Sequence, residues 1–191
     1  AFLPTSENPV KKFDEKDLSK LRNIENVDYV VPVFEKSVTV AAAANTEISQ
    51  LLASTHEIAL ALNLEVELGK FFTKSDVDKR AKIAVIGPIL AENLFGSKEN
   101  ALEKIIKFSD QSFRVVGVVK AKGGGALGGP NFDTITYIPY KTALRINPDK
   151  KFYAMYIRAE TEEFIPSVKK NAQEVLLKRY DGDEFQVVEQ T

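Results

Sequence analysis

Apolar residues change their spacing several times along this chain, and each change predicts an element. Behind Asp14, Leu18, Leu21 and Ile24 recur at helical spacing. Asp14 and Asp17 stand at the capping positions, and Phe13 and Leu18 occupy the two positions of a hydrophobic staple, so a short helix is expected over 15–24. The next stretch, 27–33, is rich in β-branched residues, and 34–44 continues in an extended pattern with Val38 and Val40 flanking Thr39. Residues 47–54 read as its antiparallel partner across Asn45 and Thr46. A helical turn is expected over 57–62. A short alternating strand over 64–68 is broken by Gly69.

The middle of the chain has a different texture. A strand over 82–86 ends at Gly87, a helix over 89–95 stops at Gly96, and two strands over 105–108 and 113–120 form a hairpin around Asp110. Residues 123–130 read as a loop, 134–139 as a strand and 141–146 as a turn of helix. In the last section Tyr153, Met155 and Ile157 alternate with smaller or polar residues, as in a strand over 152–159. Thr161 is placed to cap the next helix, and Pro166 sits near its first turn, where proline is tolerated. Ile165, Val168, Ala172, Val175, Leu176 and Arg179 follow helical spacing, Asp181 and Gly182 end the run, and 184–189 is expected to close as a strand. The two ends therefore look alike and the section between them is β-rich. This predicts an α+β chain in two lobes, an α/β lobe from 1–53 and 150–191 and a β-rich lobe inserted at 54–149.

A chain of 191 residues is long enough to bury a core without metals or disulfides, and with no cysteine it holds neither a disulfide framework nor a thiolate site. A formal net charge of −1 argues against a nucleic-acid partner, which needs a basic face. The sequence opens at Ala1 with its single methionine, Met155, deep inside, so it is expected to be a processed or excised piece. The first ten residues lack the basic start and apolar stretch of a signal peptide. No run approaches the roughly 20 apolar residues of a membrane helix, so the piece is expected to be soluble.

Few residues offer chemistry. Gly123, Gly124, Gly125, Ala126, Leu127 and Gly128 fit G-x-G-x-x-G after a strand, but Pro130, Asn131 and a β-type run follow where a dinucleotide site needs a helix. A glycine loop able to admit a partner's backbone is the better reading. No G-x-x-x-x-G-K-[ST] sequence exists, so the chain itself is not expected to bind ATP. His56 is the only histidine, too few for a zinc site, and Ser54 and Thr55 beside it carry no nucleophile-elbow signature. Asp76 and Asp78, and the cluster from Asp181 to Glu184, lack calcium-loop spacing and read as solvated turn carboxylates. Phe71, Phe72 and Phe95 are assigned to packing. No catalytic residue, metal or cofactor is expected.

Four stretches, in order, resemble the MacB-like periplasmic core domain of ABC transporter permeases. They are Leu68-Gly69-Lys70-Phe71-Phe72 followed by Asp76; Ile83-Ala84-Val85-Ile86-Gly87 followed by Ala91 and Leu94-Phe95-Gly96; Phe113-Arg114-Val115-Val116-Gly117-Val118-Val119 before the glycine loop; and Asp133 through Tyr137-Ile138-Pro139 with Thr142-Ala143. One departure is Glu103, where the family usually has glycine. The resemblance implies a domain outside the cytoplasmic membrane between the first and second membrane helices, with a porter-like α/β lobe from both chain ends and a β-rich lobe from the middle. It implies a parent that works as a dimer of permease copies, driven by a cytoplasmic ATPase and sometimes joined by a membrane-fusion or accessory protein. Such transporters move macrolides, peptide toxins or lipoproteins. The domain would then transmit helix movement and dock partners without an active site of its own, as a monomer when isolated. Gly123, Gly124, Gly125, Leu127, Gly128 and Gly129 are the expected partner-contact loop. The competing expectations are a ligand-sensing module with no transport role, an extracytoplasmic hydrolase and an adhesion domain; the last two find no clustered nucleophile and no all-β repeat.

Overall fold

The structure is a computed structural model, and it describes residues 12–122 and 131–189. In chain order the elements begin with α1 (Glu15–Arg22), β1 (Val27–Ala42), β2 (Asn45–Ser54), α2 (Ile58–Ala61), β3 (Val66–Gly69), α3 (Lys74–Asp78), β4 (Ile83–Ile86) and α4 (Pro88–Phe95). Then follow α5 (Lys98–Ala101), β5 (Ile105–Phe108), β6 (Gln111–Val119), β7 (Thr136–Pro139), β8 (Ala154–Ala159) and α6 (Ile165–Leu177). Two compact units emerge, one from Ala1–Phe34 with Asp149–Thr191 and one from Glu35–Pro148. β1 contributes its first part to the former and its last part to the latter.

The first unit builds on one antiparallel pair. β1 runs against β8 from Val27↔Ala159 to Val33↔Ala154, and Phe13 and Phe152 form a further isolated bridge. α1 starts as its sequence predicts. The Asp14 side chain accepts from the amides of Lys16 and Asp17, while the Asp17 carboxylate accepts from the Asp14 amide. Leu18 and Leu21 are fully buried, and Val168, Ala172 and Leu176 of α6, four residues apart, are buried too. α1 ends at Arg22, two residues earlier than expected, because the chain turns through Asn26 in the left-handed region (φ 65°) to enter β1. Thr161 precedes a 3-10 turn at Glu162–Phe164 but makes no side-chain capping bond. Residues 185–189 form no strand. Val187 and Val188 instead line one apolar pocket together with Ile157, Ala159, Ile165 and Val168, without joining a ladder.

In the second unit six strands close on themselves in the order β2-β7-β4-β6-β5-β1, with β1 also paired to β2. Closure leaves none of the six with an open edge along the ring. β2 and β7 are parallel, as are β4 and β6, whereas β4–β7, β5–β6 and β1–β5 are antiparallel. β3 lies off the ring on the later half of β6, in register Gly69↔Gly117. Alternation puts Val38, Val40 and Ala42 of β1 inside, and β4 and β7 are buried throughout. The β1–β2 turn falls at Ala43 and Ala44, two residues before the expected Asn45 and Thr46. The Asn45 side chain instead donates to the Leu94 carbonyl (3.0 Å) at the end of α4. α4 enters on Pro88, one residue before the expected Ile89, and stops at Gly96 (φ 83°), as its sequence predicts. α3 and α5 were not predicted. Five and four residues are too few to show periodicity, although Thr73 with Asp76 forms a capping box and Ser97 caps the Asn100 amide.

Candidate functional site

The most heavily bonded polar group of the first unit joins the start of α1 to the end of α6. Arg179 lies one residue beyond the cap of α6, where the helix's free carbonyls favour a cation. Its Nη1 donates to Asp17 Oδ1 (2.6 Å) and Asp14 Oδ1 (2.8 Å), and its Nη2 to Asp14 Oδ2 (3.1 Å). One planar fork thus holds two carboxylates. Asp17 has no exposed surface, and a buried carboxylate is costly unless every lone pair is met. Three donors meet it: Arg179, the Asp14 amide and the Tyr180 hydroxyl (2.6 Å). The same hydroxyl lies 3.2 Å from the Lys12 carbonyl, while Lys12 Nζ is 3.7 Å from Glu184. The Tyr180 ring meets Phe13 edge to face at 5.7 Å.

The charges in this cluster are fixed by their neighbours. The Arg179 guanidinium bonded to Asp14 holds that carboxyl well below the usual carboxylate range. Asp14, then Asp17, push Arg179 upward, so it stays a cation. Burial, then the hydrogen bond to Asp17, raise the Tyr180 phenol and keep it a donor. Sequence reading assigned Asp14 and Asp17 to the cap of α1 and placed Arg179 at the end of the helically spaced run of α6. It missed their meeting, because 162 residues separate Asp17 from Arg179.

The glycine segment 123–129, with Gly123, Gly124, Gly125, Leu127, Gly128 and Gly129, lies outside the described residues. The residues on either side of it are held together. The Lys122 amide donates to Asp133 Oδ1 (2.8 Å), and the Lys122 ammonium donates to the Leu62 carbonyl and lies 4.7 Å from the centre of the Phe132 ring. Asp133 is buried, its own amide donates to Asn131 Oδ1 (3.1 Å), and its backbone packs directly on Gly87. A Cβ on Gly87 would come within 2.3 Å of the Asp133 carbonyl, so the glycine of the Val85-Ile86-Gly87 motif is a contact requirement for the Asp133 motif.

The remaining chemical candidates do not converge. His56 Nδ1 lies 3.4 Å from Glu57, while Ser54 beside it is fully buried on β2. Asp76 caps α3, and Asp78 pairs with Lys74 and Lys141. The Glu184 carboxylate accepts from the Asp181 amide (3.3 Å). Phe72 is buried, its ring 4.5 Å from that of Phe71, which in turn lies 6.0 Å from the Tyr137 ring. Among the described residues no group of three or more His, Cys, Asp or Glu side chains is placed to hold a metal ion. Nor is any helix among them long and apolar enough to cross a membrane.

Comparison with known proteins gives one consistent answer. The family profile of the MacB-like periplasmic core domain matches residues 3–175. A macrolide export ATP-binding/permease protein MacB from Hyphomonas neptunium is 27% identical over 173 residues, covering 90% of this chain and 27% of the relative. The protein of the same name from Chlorobaculum tepidum is 29% identical, covering 95% and 29%. The chain thus spans less than a third of the length of these curated relatives. In fold it is similar to the periplasmic region of MacB from Actinobacillus actinomycetemcomitans, with a TM-score of 0.84 at 18% identity over 98% of this chain and 86% of that one. It is also similar to the extracellular domain of the noncanonic ABC-type transporter YknZ from Gram-positive bacteria, with a TM-score of 0.80 at 24% identity over 98% and 97%. With the four ordered motifs placed on β3, β4–α4, β6 and β7 and a profile match across nearly all of its length, the chain belongs to the MacB-like periplasmic core domain family.

Proposed function

We propose that this chain is the extracytoplasmic domain of an ABC transporter permease and couples ATP-driven movement of membrane helices to export of a substrate. The observation that carries this reading is the family match over residues 3–175. The two-unit division supports it further. A porter-like unit assembled from both ends of the chain would receive movement from membrane segments on either side, while the six-stranded unit inserted between them serves as a docking body.

In this reading ATP binding and hydrolysis belong to a separate cytoplasmic domain or subunit, as the ATP-binding/permease names of the relatives suggest. The permease acts as a pair of copies, with a membrane-fusion or accessory protein as a further partner. The substrate class is that of the relatives' printed names, a macrolide. The glycine segment 123–129 is the partner-contact element, carried on the Lys122–Asp133 base.

The test is the encoding gene on both sides of this sequence. One apolar span of roughly 20 residues before Ala1 and three after Thr191 are expected. A stop soon after Thr191, or a secretion signal with no further spans, would overturn the reading in favour of a secreted binding domain.

A further inference from the structure

Apolar packing already accounts for the attachment of α6 to α1. Phe13, Leu21, Met155 and Leu176 surround one point of the first unit's core, and Leu18 is fully buried beside them. Such contacts are driven by a non-directional effect and do not by themselves single out the chain segments just outside the two helices. The cap of α1 is likewise complete without α6, since Asp14 and Asp17 satisfy the first amides between themselves. Yet a fork of three charge-assisted hydrogen bonds and a half-buried phenol are added where neither packing nor capping needs them. Their placement is specific. They tie the Lys12 carbonyl, just before α1, and the Asp17 carboxylate, which has no exposed surface, to the hydroxyl of Tyr180, just after α6. Directional bonds of this kind resist shear that apolar contact does not.

We infer that Arg179 and Tyr180 are positioning residues that hold the segment entering α1 and the segment leaving α6 as one rigid point, so that displacement delivered to the two segments moves the unit as a whole. The inference rests on the permease reading, in which membrane segments pull on both.

The chain has no cysteine, so single cysteines in place of Lys16 on α1 and Lys178 at the end of α6, both exposed, can carry spin labels without background. In the isolated chain the wild-type pair is expected to give one narrow distance distribution. Arg179→Met and Tyr180→Phe each broaden it. Val168→Ala, a core truncation away from the clamp, lowers the melting temperature but leaves the distribution narrow. In the full-length transporter, reconstituted with its ATPase, the wild-type distance stays the same without nucleotide and with ATP trapped. In Arg179→Met the distance separates into two values between those states. An unbroadened distribution in both clamp variants, or a wild-type distance that shifts with nucleotide as much as the variant's, would overturn the inference. Absence of flanking membrane segments would overturn the permease reading and the transmission role with it. The isolated-chain distances would still show whether the clamp sets the α1–α6 geometry.

Discussion

Gly117 sits in the later half of β6, opposite Gly69 of β3, and it is there for close approach. A Cβ at position 117 would stand 2.1 Å from the Lys70 carbonyl oxygen and 2.9 Å from its carbon. Ordinary carbon–oxygen contact begins near 3.3 Å, so Gly117→Ala requires a retreat of about 1 Å. β6 cannot supply it, because its residues 115–119 are buried and β4 holds it on the other side. β3 is short and mostly exposed, so β3 moves. The Lys70 amide donates to the Val116 carbonyl at 3.0 Å, and a further 1 Å puts that bond beyond useful range. Losing one to three ladder bonds at about 1 kcal/mol each, with modest overpacking, gives a cost of roughly 2–4 kcal/mol. For a chain of this size that corresponds to a fall in melting temperature of roughly 5–15 °C. The assay is thermal and denaturant unfolding with amide hydrogen exchange, in which residues 66–70 should lose protection while β4 keeps it. Gly96→Ala is the control. Its Cβ would meet nothing within 4 Å, so only the left-handed backbone (φ 83°) opposes it, at about 1 kcal/mol. If Gly117→Ala costs no more than Gly96→Ala and β3 stays protected, the close-approach argument is wrong.

Three further predictions concern other parts of the chain. Glu103 holds a left-handed backbone (φ 64°) and an exposed ion pair with Arg114. Glu103→Gly should therefore be more stable than Glu103→Ala by about 0.5–1 kcal/mol in denaturant unfolding, the reverse of the order at an ordinary helical site. Asp14 is held below the usual carboxylate range chiefly by Arg179, so the stability it contributes is present above the unfolded carboxyl value and disappears as pH falls through its lowered folded value. Melting curves should show wild type above Arg179→Met by a constant margin from pH 7 to 5, with the gap closing below about pH 4 as the carboxyl protonates. A gap as wide at pH 2 as at pH 7 would mean that packing rather than charge sets the difference. Replacing residues 123–129 by a short serine linker should leave the fold intact by circular dichroism and, on the proposed reading, abolish whatever macrolide resistance the unaltered full-length transporter confers; resistance undiminished by the replacement would remove the segment from partner contact.

Most of the individual elements were legible because their signals are local. Asp14 and Asp17 cap α1 within one turn, Gly96 stops α4 at the next residue, and the α6 stripe of Val168, Ala172 and Leu176 repeats at four-residue spacing. Where elements are shorter than the period that reveals them, as in α3 and α5, the signal was a cap alone and went unread. The 184–189 segment misled because Val187 and Val188 look like half a buried strand, while the structure leaves them half-buried at an apolar pocket lined by β8 and α6. The ordered motifs around Gly69, Gly87, Gly96 and Gly117 carried the family resemblance, although the reason for two of them, backbone contact with Asp133 and Lys70, shows only once the strands are assembled.

The sequence by itself determined the nature of the pieces: their helical or extended character, their caps and breaks, the absence of cysteine chemistry and of an ATP-binding loop, and the family to which their order points. Tertiary structure decided which pieces meet. The ring order β2-β7-β4-β6-β5-β1, the Ser49–Thr136 hydroxyl pair across 87 residues and the burial of Asp17 beneath Arg179 all join positions far apart in the chain. The physical reason is that backbone ladders use the same amide and carbonyl at every residue and so carry no partner's address. A carboxylate reads as a solvated cap until the folded chain brings an arginine and a phenol to it from the other end.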